Sequence, residues 1–127
     1  MIEPILTVAT AAPAPGVTVL SAAGEIDHDS NHVLGEAAET ALRNGGERLV
    51  IDLTDVTFCD SGGLSLFVGL HKRTAAVDGQ LRLACPQPQV VAVLRATNLD
   101  RLLAVHATVA DAVRAASSRP DPPTGHG

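Results

Sequence analysis

Residues 49–73 read LVIDLTDVTFCDSGGLSLFVGLHKR, and this stretch decides the fold. Leu49, Val50, Ile51 and Leu53 form a short apolar, β-branched run, the mark of a buried strand, which the pattern places over Arg48 to Leu53. Thr54 to Phe58 reads as a polar turn, and helical periodicity sets in from Leu64. Asp60-Ser61-Gly62-Gly63 stands at the junction. Asp and Ser carry side-chain oxygens that accept the orphan N–H groups of a helix start. Two glycines place no side chain over those N–H groups and leave them open to an anion. A hydroxyl at this position can also carry a phosphate beside the positive end of the helix dipole.

Working outward, Ile5 to Thr10 reads as a first strand, Ala11 to Gly16 as a loop, and Val17 to Ala23 as a second strand antiparallel to it. After the loop Gly24–Asp29, a helix of about fifteen residues keeps an i, i+4 rhythm over Val33, Leu34, Ala37, Ala38, Ala41 and Leu42. Asp29, Ser30 and Asn31 are all acceptable caps for it, and Asn44-Gly45-Gly46 stops it. On the helix after Ser61, Leu64, Phe67, Val68 and Ala75 share the expected core face. Leu66, Leu70 and Val77 widen the apolar arc to roughly 200°, more than one sheet needs. That surplus suits a neighbouring helix and a partner surface. Lys72 and Arg73 read as a solvated pair that complements the helix dipole. Asp78-Gly79 ends this helix, and Gln80 to Cys85 alternates as a strand. Pro86 and Pro88 open a short helix over Val90, Val91 and Leu94 that stops near Asn98. Leu102 to His106 forms a last strand, and Thr108 to Asp111 starts a final helix with Ala112, Val113 and Ala116 inward. From Ser117 the composition turns to Ser, Pro, Gly and Asp, so residues 1–116 read as one domain and 117–127 as a disordered tail.

Composition narrows the function classes. The chain has 127 residues, a formal net charge of −5, two Phe, and neither Trp nor Tyr. With no basic cluster and no stacking side chains, nucleic acid is not the expected partner. No apolar run reaches transmembrane length and no signal peptide opens the chain, so no membrane role is expected. Cys59 and Cys85 are isolated thiols, which fits a reduced, cytoplasmic setting. His28 and His32 are four apart, but the first precedes the helix and no third ligand follows, so no metal is assigned. Asp52, Asp55 and Asp60 bring no partner base, nucleophile or phosphate loop with them, so no catalytic residue, no cofactor and no enzymatic activity are assigned. A serine nucleophile at Ser61 fails on context, since a nucleophile elbow needs glycine where Cys59 stands.

The segment 49–73 resembles the signature of STAS domains, specifically the bacterial anti-sigma factor antagonists, in which a strand ends in Asp-Ser-Ser-Gly-Leu or a close variant. The resemblance extends to Gly24-Glu25-Ile26-Asp27-His28, to Gly79-Gln80-Leu81-Arg82-Leu83 and to Asn98-Leu99-Asp100-Arg101-Leu102, in register over roughly residues 5 to 116. It implies an α/β fold: a mixed, mostly parallel five-stranded sheet with about four helices mainly on one face, and Ser61 at the C-terminal edge of the central strand. It also implies that Ser61 is phosphorylated by an anti-sigma factor serine kinase, that a serine phosphatase resets it, and that the unphosphorylated form binds the kinase and so frees a sigma factor. Asp27, Asp60, Ser61, Gly62, Gly63 and Leu66 are the partner-binding residues this suggests, with a weak homodimer as a further expectation. Gly62 departs from the pattern by replacing the second serine, and Cys59 is an unusual neighbour that admits a redox input. The competing reading is a constitutive STAS scaffold or adaptor in a signalling or transport complex, with Ser61 only a helix cap. A small anion-binding protein or enzyme that uses the helix start for a substrate phosphate is a third.

Overall fold

A computed structural model describes residues 4–117. The elements run β1 (Leu6–Ala14), β2 (Val17–Ile26), α1 (Asn31–Arg43), β3 (Arg48–Cys59), α2 (Ser61–Ala75), β4 (Gln80–Ala84), α3 (Pro88–Ala96), α4 (Leu99–Leu102), β5 (Ala104–His106) and α5 (Val109–Ser117). The strands lie in the order β1-β2-β3-β4-β5, with β1 antiparallel to β2 and every other pair parallel. A tight turn at Gly16, at φ +74°, joins the hairpin, a backbone angle that costs glycine little. The three parallel pairs need crossovers, which α1, α2 and the α3–α4 pair supply.

Alternation along the strands sends side chains to two cores. Leu49, Ile51 and Leu53 of β3 face α1, α2 and α3, where they meet Leu34, Phe67, Leu70, Val90 and Leu94. Val50 points the other way, with Val17, Val19 and Ala84, onto Ala112 and Ala116 of α5. Three long helices thus share one face while α5 lies alone on the other. The expected sheet is present with five helices; the extra one is α4, a single turn. Phe67 is fully buried, and removing its ring would cost about 3–5 kcal/mol. Among the described residues, no helix is long and apolar enough to cross a membrane.

Several sequence expectations need correction, among them the second strand, which runs past Ala23 to Ile26 where a loop is expected from Gly24, and the last, which starts at Ala104 because Leu102 closes α4. β1 runs on to Ala14 rather than stopping at Thr10; its register slips between Ala11 and Ala14, and an edge strand tolerates Pro13. β3 runs six residues past Leu53. Its upper half pairs only with β2, through two register shifts, and the opposite edge is met by side chains: the Gln87 and Gln89 amides donate to the carbonyls of Thr54 and Thr57 at 2.9 and 3.0 Å. Those bulges erase the two-residue period that marks a strand in sequence. The core face of α2 is Gly63, Leu64, Phe67, Leu70 and Thr74, so Leu70 is buried and Ala75 is exposed, the reverse of the expectation. Finally, α5 extends through Ser117; the expected disordered tail beyond it lies outside the described residues.

Candidate functional site

The site grows out of the end of the central strand. β3 stops at Cys59, and Asp60, in extended backbone geometry, turns the chain into α2. Its Oδ1 accepts from the Gly62 and Gly63 N–H groups at 2.7 and 3.3 Å. Its Oδ2 accepts from the His28 N–H at 3.3 Å, across from the β2–α1 loop. Asp60 is therefore the helix cap. Ser61 occupies the first helical position, exposed, and its hydroxyl makes no hydrogen bond among the described residues. The reading of Ser61 as a cap is thereby corrected: β3 ends at Cys59 and the helix already begins at Ser61, so the cap falls on Asp60.

The glycines also act differently from the sequence reading. Their N–H groups are occupied by the Asp60 carboxylate, not left open to an anion. What they supply is room. A Cβ on Gly62 would stand 2.7 Å from the His28 Cα, and one on Gly63 would stand 2.6 Å from the Cys59 sulfur and 2.8 Å from the Ile26 carbonyl oxygen. The helix start is thus pressed against the end of β2.

Asp27 organises that neighbouring loop. Its Oδ1 accepts from the Ser30 and Asp29 N–H groups at 2.8 and 3.0 Å, while the Ser30 hydroxyl accepts from the Asp27 N–H and donates to the Glu25 carbonyl. These bonds, those from Ser30 above all, hold the Asp27 carboxyl below its ordinary value. The Asn31 amide then donates to the Gly62 carbonyl at 2.9 Å. The loop and the helix start form one hydrogen-bonded unit, and Asp27, Asp60, Ser61, Gly62 and Gly63 come together at one end of the sheet.

Leu66 lies elsewhere on α2. It is half-buried and lines a groove between α1 and α2 with Gly35, Leu70 and Arg73, where Arg73 pairs with Glu39 of α1 at 3.2 Å. The surplus apolar arc thus does meet a neighbouring helix. Ser61 instead borders a shallow cleft with Leu64, Ser65, Val68, Lys72, Thr97 and Leu99. Thr97 and Leu99 carry no signal of such a role in local sequence; they arrive there because the α3–α4 crossover returns past α2.

The remaining candidates resolve on geometry. Among the described residues, no three His, Cys, Asp or Glu side chains gather as a metal site. His32 instead places Nδ1 3.0 Å from the Asp29 carbonyl oxygen. Burial, and then the neighbouring Asp60, push the Cys59 thiol up to about 11, so almost no thiolate forms near neutral pH, which leaves little for a redox input to act on.

Residues 9–112 match the STAS domain model. The chain is 34% identical over 85 residues to the anti-sigma-B factor antagonist of Bacillus subtilis, covering 67% of this chain and 77% of that protein. The crystal structure of an anti-sigma factor antagonist from Mycobacterium paratuberculosis superposes with a TM-score of 0.79 at 26% identity, over 89% of this chain and 95% of that one. The Bacillus cell fate determinant SpoIIAA in its phosphorylated form shares the fold, with a TM-score of 0.67 at 23% identity over 86% of this chain and 98% of that one. With most of its length matched in the order of its own elements, the chain belongs to the STAS domain family.

Proposed function

We propose that this protein is an anti-sigma factor antagonist, a cytoplasmic binding module with no chemistry of its own. Unphosphorylated, it binds an anti-sigma factor serine kinase and so releases a sigma factor. Phosphate on Ser61 blocks that docking, and a serine phosphatase restores it. The observation that carries the reading is the exposed Ser61 hydroxyl at the tip of the central strand, without a hydrogen bond among the described residues and with the capping duty held by Asp60. A hydroxyl that holds nothing in place can be modified without cost to the fold. Asp27, Asp60, Gly62 and Gly63 form the rigid surround, and Leu66 extends the docking surface along α2.

The phosphate adds up to two negative charges at the centre of that surface, next to Asp60. Repulsion and desolvation of about 3 kcal/mol would weaken binding more than a hundredfold, enough for a switch. The test is phosphopeptide mass spectrometry on the protein from its own cells, in growth and under stress, followed by binding of Ser61→Ala and Ser61→Asp to the kinase. The expected result is phosphate on the Ser61 peptide with condition-dependent occupancy, constitutive binding by Ser61→Ala and lost binding by Ser61→Asp. Absence of phosphate in every condition, or equal binding by both variants, would leave a constitutive adaptor as the better reading.

A further inference from the structure

Among the described residues, no helix covers the upper half of one face of the sheet. α5, with nine residues, is about 13 Å long, whereas β3, with twelve, spans about 40 Å. α5 packs on Val17, Val19, Val50 and Ala84 at the lower half of its face, which leaves the upper half bare. Cross-strand register fixes what stands there. The Glu25 N–H donates to the Ile5 carbonyl at 3.0 Å, and Glu25 is paired with Phe58. Glu25 and Phe58 therefore share a row that points away from the three-helix core, and Ile5, which precedes β1 and also borders the start of α1, stands at its edge. Ile5 is 54% exposed and Phe58 46%, two of the five large apolar side chains the described surface leaves open. Asp55, paired with Ala23, and Asp52, paired with Ser21, continue the face downward.

Charge decides what can sit on it. Glu25, Asp52 and Asp55 face solvent or half-face it, and the ion pairs among the described residues are Arg73–Glu39 and Arg114–Asp111, neither of which touches them. Residues 5–9, 21–25 and 52–58 contain no Lys or Arg. A second copy of the chain would bring the same carboxylates and be repelled; a nucleic acid or an anionic bilayer would be repelled more strongly. We infer that the bare half-face docks a partner-protein segment that carries Lys or Arg beside apolar side chains, at a surface separate from Ser61. The apolar side chains cover Ile5 and Phe58, a cation stacks on the Phe58 ring, and its neighbours pair with Glu25 and Asp55. Such a surface gives the module a second contact that phosphorylation of Ser61 does not control.

The test is an NMR titration of the 15N-labelled full chain at low salt with a synthetic peptide of alternating Lys and Leu, and with a control peptide in which Glu replaces Lys. Shifts confined to the amides of residues 5–9, 21–25 and 52–58 with the basic peptide, and none with the acidic one, are the expected result. Glu25→Lys combined with Asp55→Lys should weaken binding about tenfold or more, as should Phe58→Ala alone, whereas Ser61→Asp should leave the titration unchanged. Shifts scattered over the acidic residues elsewhere on the surface, such as Glu36 and Glu39 of α1, overturn the inference. So does undiminished binding by either surface variant, or loss of binding by Ser61→Asp. Amides far from the face serve as the fold control for each variant.

Discussion

Replacing Asp60 by Ala should loosen the helix start and the β2–α1 loop together. The carboxylate holds two helix N–H groups through Oδ1 and the His28 N–H through Oδ2. Loss of an N-cap of this type costs about 1 kcal/mol, within a range of roughly 0.5–2. The bond to His28 is long, so its loss adds about 0.5 kcal/mol, the low end for one hydrogen bond. The sum is about 1.5 kcal/mol, which for a domain of this size corresponds to a fall in Tm of about 5–8 °C. Asp60→Asn keeps an oxygen acceptor for Gly62 and Gly63 and should lose no more than about 0.5 kcal/mol. Thermal unfolding followed by circular dichroism gives the Tm values. Hydrogen exchange gives the location: the amides of Gly62, Gly63 and His28 should lose protection in Asp60→Ala, while those of β3 keep theirs. An Asp60→Ala protein that melts within a degree of wild type would refute the capping geometry. So would an Asn variant as damaged as the Ala one, because the cap needs an oxygen acceptor and not a charge.

Gly63→Ala should destabilise by about 1–3 kcal/mol, the cost of overpacking, because the new Cβ meets the Cys59 sulfur and the Ile26 carbonyl; denaturant unfolding with an unchanged midpoint would contradict the close approach. Iodoacetamide at pH 7.5 should label Cys85, which is partly exposed, long before Cys59, whose thiol is buried, and peptide mapping that finds equal rates would refute this. His106 stands 3.0 Å from an Arg82 guanidinium nitrogen and accepts from it; burial first, and then Arg82, lower its pKa from the ordinary 6.5, against a smaller opposing pull from Asp111. The folded state therefore binds a proton here less readily than the unfolded chain, so the penalty is absent above pH 6.5 and grows as pH falls below it. His106→Gln should flatten that part of the stability profile between pH 7 and 5, and an unchanged slope would exclude His106 as its source.

Much of the fold was legible because its signals are local. The β-branched run at Leu49–Leu53, the i, i+4 rhythm of Val33–Leu42 and the glycines after Asn44 each define an element without reference to any other. The failures share a different cause: the deciding partner is remote. Thr54, Asp55 and Thr57 read as a turn because they are polar, yet they are strand residues with β2 on one side and two glutamine amides on the other. The phase of α2 was misread because Thr74 looks like a surface residue; buried, its hydroxyl donates back to the Leu70 carbonyl at 2.9 Å, which hides a polar group inside the apolar stripe. Asp60 and Ser61 are equally good caps by residue type, and only the length of β3 decides between them. The composition of the site was therefore readable, but not the division of labour within it.

That division bears directly on how a switch at Ser61 can work. Had the serine been the cap, phosphorylation would remove a hydrogen bond that the helix needs, and any change in binding would be mixed with local unfolding. With Asp60 as the cap, the phosphate lands at the first helical position, where the helix dipole favours negative charge by about 0.3–1 kcal/mol. The nearby Asp60 carboxylate opposes it by a comparable amount through solvent. The two terms roughly cancel within the folded protein, so Ser61→Asp should melt within about a degree or two of wild type. The same charges do not cancel against a docked partner, because docking strips the water that screens them. A Ser61→Asp protein that is folded to the same Tm yet fails to bind would place the switch wholly at the interface. One that melts several degrees lower would show that the first turn of α2 is itself the moving part, with binding lost through its disorder.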